Sequence, residues 1–136
     1  MRRTFWPPGE AAERGSAVAE FVLVAALLTA LTLAVLQLAL ALHIRNTVLD
    51  AAAEGARYAA LADSGLGAGA DRSRDLITAA IGPAYAQDVS ASFTDVAGQP
   101  GVQVRVLAPL PLFGLLGMDR GLEVVGHAAM EGLVGP

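Results

Sequence analysis

The feature that most constrains this chain is the run from Phe21 to Leu42, 22 residues without a charge, a Gly or a Pro, interrupted only by Thr29, Thr32 and Gln37. At about 1.5 Å per residue a helix of that length reaches about 33 Å, enough for a hydrocarbon core of about 30 Å. The run reads as a membrane-spanning helix. A cleaved secretory signal is the competing reading, because Arg2, Arg3 and Arg14 precede the run and Ala39-Leu40-Ala41 resembles a small-residue cleavage site. Signal cores are typically about 7 to 15 residues, shorter than this run. The whole chain of 136 residues is 54% hydrophobic and 16% charged, with a mean hydropathy of +0.53. Outside the run the hydrophobic share falls to about 48%, an ordinary value for a soluble domain, so the excess belongs to the anchor.

Three function classes are disfavoured by what remains. Nine Arg, no Lys and 13 acids give a net charge of -4, which is not the electrostatic footprint of a nucleic-acid binder. Without Cys there is neither a disulfide framework nor a thiolate metal site. His43 and His127 are far apart, no metal-ligand spacing recurs, and Ser, His and Asp occur without a nucleophile-elbow pattern. The chain is expected not to be an enzyme and to carry no metal, cofactor or small-molecule substrate.

Orientation follows from basic residues near the ends of the span, where acids count for little. Three Arg lie in the first 15 residues, and Arg45 and Arg57 lie within the same distance on the other side, so the bias is weak. The short N-terminus favours a cytoplasmic start, with the remainder outside the membrane.

Immediately before the span the sequence reads Glu13-Arg14-Gly15-Ser16-Ala17-Val18-Ala19-Glu20-Phe21. A carboxylate at the head of an apolar helix needs water or a partner, because a charge buried at mid-bilayer costs a few kcal/mol. By itself Glu20 fits an interfacial residue reaching the headgroups. Gly15 and Ser16, with Glu20 and Phe21 five and six positions after Gly15, resemble the processing site of type IV prepilins and their relatives. That resemblance implies cutting after Gly15 by a prepilin peptidase on the cytoplasmic side, a mature chain beginning at Ser16, and a carboxylate, Glu20, that pairs with the new amine.

Beyond the span, His43-Ile44-Arg45-Asn46 and the Ala-rich stretch from Ala51 to Leu61 resemble the TadE-like pseudopilins of tight-adherence (Flp-type) pilus systems. The resemblance is taken to extend over most of the chain. It implies a minor pilin-like subunit in the cytoplasmic (inner) membrane, whose partners are the peptidase, other pilin or pseudopilin subunits and the pilus assembly platform. The major Flp pilins are much shorter, and about 70 residues beyond the helix point to the minor component. The alternative is an uncleaved single-pass anchor with a partner-binding domain in the envelope.

Periodicity supplies the rest of the expected fold. Ile44, Val48, Ala51, Gly55, Tyr58 and Ala62 alternate spacings of four and three, one apolar stripe on a helix that continues from the span. The stripe fits burial against the chain's own C-terminal part or packing between subunits. Gly-rich Ala62 to Ala70 reads as a flexible connection, followed by a short helix capped by Asp71 or Ser73 and running to Ile81, with Leu76, Ile77, Ala80 and Ile81 inward. Val89 to Ala97 alternates as a strand with Val89, Ala91 and Phe93 on one face. Gly98-Gln99-Pro100-Gly101 reads as a turn, and Val102, Val104 and Val106 mark the return strand. A third strand spans Leu122 to Glu131.

The expected architecture is therefore α+β and pilin-like: a leader (1–15), a transmembrane and stalk helix (16–62, span 21–42) and an exported domain (63–136) with a short helix and a three-stranded antiparallel sheet. Between the second and third strands lies an apolar loop, Pro109 to Met118, whose Leu112 and Phe113 suit core packing, contact with the outer membrane face, or docking of a partner.

Overall fold

A computed structural model describes residues 10–61, 64–110 and 121–130. The fold is α+β: a long helix α1 (Glu10–Ala60), a second helix α2 (Leu66–Ile81), a 3-10 turn (Pro83–Tyr85) and three strands, β1 (Asp88–Val96), β2 (Gln99–Ala108) and β3 (Leu122–Ala129). The strands form one antiparallel sheet in the order β1-β2-β3. The chain divides into two compact units, Met1–Leu38 and Ala39–Pro136, so that the last turns of α1, from Ala39 onward, belong with α2 and the sheet.

The first unit is helical wherever it is described, and its side chains from Glu13 to Leu36 are all exposed. It carries most of a helix long and apolar enough to cross a membrane. Its two threonines are satisfied internally. The hydroxyls of Thr29 and Thr32 donate to the carbonyls of Ala25 and Leu28 at 2.8 Å each, which removes the penalty of an unpaired hydroxyl in hydrocarbon.

In the second unit α1 and α2 cover one face of the sheet. The face of α1 that turns inward carries Ile44, Val48, Ala51, Ala52, Gly55, Ala56 and Ala59, all buried. From the sheet, Val89, Val104, Val106, Ala108, Leu122 and Val124 join the same core. The opposite face of the sheet is mostly polar, with half-buried Leu107 and Val125 among its polar residues. There Gln103 donates to the Ser92 hydroxyl at 3.0 Å, and Arg105 lies 3.4 Å from Glu123 in an exposed pair of little energetic weight.

Small residues set how closely these layers approach. A Cβ on Gly55 would lie 2.5 Å from the Gly69 carbonyl oxygen and collide with the Ser73 hydroxyl; one on Gly69 would lie 2.6 Å from the Gly55 carbonyl oxygen. A Cβ on Gly126 would run into the backbone of Ala52 and Ala53. Backbone therefore meets backbone at both contacts of α1, with α2 and with β3.

Three expectations are corrected here. The flexible Gly-rich segment is shorter than expected, because α2 begins at Leu66 and takes Gly67 and Gly69 into its first turns. The close crossing with Gly55 holds Gly69 in the helix despite its low propensity. Ser73 is no cap: it is fully buried, and its hydroxyl donates to the Ala51 carbonyl at 3.0 Å, while Gly65 is the N-cap and the inward face of α2 is Gly69, Ala70, Ser73 and Ile77. Ala80 is exposed. The hairpin turn is Ala97-Gly98 rather than Gly98 to Gly101, since Val96 pairs with Gln99 and both turn residues have positive φ, 54° and 82°. That is the backbone a two-residue type I′ turn requires. The Asp95 carboxylate accepts the Gly98 N–H at 2.7 Å and holds it closed.

Candidate functional site at the N-terminal junction

Residues 13–21 lie within α1, and the helix passes through Gly15 and Ser16 without a break. Nothing stands within 4 Å of where a Cβ on Gly15 would be. Ser16 and Glu20 are one helical turn apart, and the Ser16 hydroxyl donates to the Glu20 carboxylate at 3.5 Å with both side chains exposed. Side chains on a helix lean toward its N-terminus, so the carboxylate of Glu20 is directed back over the turn that contains the Gly15–Ser16 bond. Phe21 is 74% exposed at the head of the apolar run. The junction thus combines an unobstructed glycine, a hydroxyl, a carboxylate aimed back at it and a bare aromatic.

Four of the six stripe residues are buried by the chain's own second unit: Ile44, Val48, Ala51 and Gly55. Tyr58 departs from the stripe. It is 41% exposed, and Ala59 takes the inward position in its stead, because the drift of a 3.6-residue helix has by then rotated the next turn. Ala62, Leu112 and Phe113 lie outside the described residues, as do residues 111–118 of the apolar loop; Leu110, at its start, packs against the core. Glu54 and Arg57 form an exposed pair at 3.6 Å. They stand with Thr47 and Asp50 on an open groove of about 490 Å³ whose other wall is Leu76 and Ala80 of α2.

Sequence reasoning missed Gly69, Ser73 and Gly126 as packing determinants. Gly69 and Ser73 are four apart, the spacing of one helix face, and Gly126 occupies an inward position of its strand. A Gly at such a position marks a close backbone approach, so the signal was present in each case.

A helix long and apolar enough to cross a membrane carries a polar junction at its head, and a small helix-and-sheet unit follows it in the chain. Residues 15–57 match the family model described as TadE-like protein. The match covers about a third of the chain, from Gly15 to Arg57, and stops short of α2 and the sheet, a narrower extent than the sequence resemblance suggested. No curated protein and no solved structure matches the chain.

Proposed function

We propose that this chain is a minor pilin-like subunit of a tight-adherence pilus or related secretion system. It is made as a precursor whose residues 1–15 form a cytoplasmic leader. A prepilin peptidase cuts after Gly15, and the mature chain, beginning at Ser16, stays in the inner membrane with its C-terminal domain outside. There it joins other pilin-like subunits and the assembly platform through its N-terminal helix.

The observation that carries this reading is the junction at the head of an uncovered apolar helix, inside the segment that matches the TadE-like family. Cutting between Gly15 and Ser16 creates an ammonium one turn from the Glu20 carboxylate. The two neutralise each other where neither is well solvated, which lowers the cost of holding Glu20 against an apolar environment. Apolar helices gain little from one another in lipid, whose tails are equally apolar. A charge pair at the helix head therefore supplies specificity that the apolar side chains from Phe21 to Leu42 cannot.

The uncleaved-anchor reading draws on the helical continuity of α1 through the Gly15–Ser16 bond, which a peptidase must open locally. Gly15 is the residue best suited to that opening, since Gly weakens a helix by roughly 1 kcal/mol relative to Ala. Glu20→Ala tests the assembly role in cells with the whole pilus system. The variant is expected to insert in the membrane at the wild-type level and to fail to co-purify with other pilin-like subunits. Unimpaired co-purification contradicts the assigned role of Glu20.

A further inference from the structure

Gln37 brings hydrogen-bonding groups into the run from Phe21 to Leu42 without closing them. Thr29 and Thr32 return their hydroxyls to carbonyls of their own helix, but among the described residues no hydrogen bond reaches the Gln37 amide. The side chain is half-buried, whereas Leu33, Leu36, Leu38 and Leu40 around it are exposed.

Its depth keeps it from interfacial water. Gln37 stands five residues inside the end of the run at Leu42, about 7.5 Å at about 1.5 Å per residue. Side chains on a helix lean toward its N-terminus, so the carboxamide is directed away from that nearer end and toward the middle of the run. Two N–H donors and a carbonyl are thereby held in hydrocarbon, where each unpaired group costs several kcal/mol. Leu at the same position carries no such cost.

On the reading that the run spans the membrane, we infer that Gln37 is the contact point for the span of a different subunit, one that presents an Asn, Gln, Ser or Thr side chain at the same depth. Such side chains hydrogen-bond across helices in lipid, where apolar packing gives little selectivity. An amide both donates and accepts, so it pairs with another amide or with a hydroxyl, and a charged partner is expensive at that depth.

A second copy of this chain is the occupant that the spacing disfavours. Gln37 and Ala41 extend, at spacings of four and three, the row Ile44, Val48, Ala51 and Gly55. Those four residues are buried by the chain's own α2 and sheet. Two parallel copies that met through Gln37 would bring two covered rows to one seam two turns further along each helix. A partner whose helix carries no folded unit on that row meets no such obstacle.

The test keeps Gln37 and probes beside it. In cells with the whole pilus system, a photoreactive side chain replaces Leu33 of the full-length chain, one turn before Gln37 on the same side of the helix, and cross-linked peptides are sequenced by mass spectrometry. The expected cross-link joins this site to an apolar span of another subunit, within one turn of an Asn, Gln, Ser or Thr. Gln37→Leu leaves the run more apolar, so insertion is retained, and the cross-link yield is expected to fall about three- to thirtyfold, the range set by interhelical hydrogen bonds in membranes. Thr29→Val, which removes a hydroxyl already satisfied in its own helix, is expected to leave the yield unchanged. A cross-link only to a second copy, a yield unaffected by Gln37→Leu, or no cross-link in chains that resist alkaline extraction from the membrane overturns the inference. Release of the chain by alkaline extraction overturns the membrane reading itself, and the inference with it.

Discussion

At Gly55 two opposing effects can be weighed. Ala in place of Gly within a helix is worth up to about 1 kcal/mol. The added methyl, however, would meet the Gly69 carbonyl oxygen at 2.5 Å, an atom that cannot move without α2. Overpacking of this kind typically costs about 1–3 kcal/mol, so Gly55→Ala is expected to destabilise by about 1–2 kcal/mol. Gly67 is the matched comparison: it also lies in α2, but nothing stands within 4 Å of its missing Cβ. Gly67→Ala is expected to stabilise by about 0.5 kcal/mol, less than the full helix gain because the residue is in the first turn. Thermal unfolding of the purified full chains in detergent checks both, and shifts of Tm in the same direction contradict the packing account. Residues of this kind explain what was legible. Ile44, Val48 and Ala51 announce themselves by spacing, because an apolar side chain has few other uses at those positions. Ser73 does not, since a hydroxyl near a helix start reads as a cap, and only the partner across the crossing, the Ala51 carbonyl, reveals it as buried.

At the scale of elements, the hairpin shows how register follows from local chemistry. Its turn uses Ala97 at φ 54°, where a Cβ is disfavoured by roughly 1–2 kcal/mol, beside Gly98, where no such cost arises. Asn tolerates this conformation, so Ala97→Asn converts the loop to the favoured Asn-Gly pair and is expected to raise stability by about 0.5–1 kcal/mol. An upward shift in the denaturation midpoint at constant slope checks it; no shift, or a downward one, indicates that the turn differs from type I′. Alternation predicted all three strands, because one face is covered by helices and the other is mostly polar. It misassigned the turn because Gly98-Gln99-Pro100-Gly101 contains stronger turn signals than Ala97-Gly98, and the pairing of Val96 with Gln99 overrides them. The start of α2 was hidden for a related reason. Glycines there serve a helix crossing, a tertiary effect that propensity does not register. Phe93 was expected on the inward face of β1; it is on that face, but the helices do not cover it, and only the three-dimensional layout reveals an exposed aromatic there.

For the whole molecule, the two halves of α1 do different work. Up to Leu38 its apolar surface is uncovered, and from Ala39 onward its inward face is closed by α2 and the sheet. The stripe from Ile44 to Gly55 is thereby committed to the chain's own fold, while the apolar surface around Phe21 is uncovered. The α+β architecture could be read from hydropathy and alternation, and the membrane helix from its uncharged run. The proposed function rests most on the junction, four residues (Gly15, Ser16, Glu20 and Phe21) whose meaning depends on a processing enzyme that the fold does not contain. Processing is therefore the central claim, and the intact mass and N-terminal sequence of the chain extracted from membranes of cells with an active prepilin peptidase test it most directly. The account predicts a chain that begins at Ser16 and lacks residues 1–15; a chain that still begins at Met1 or Arg2 contradicts it.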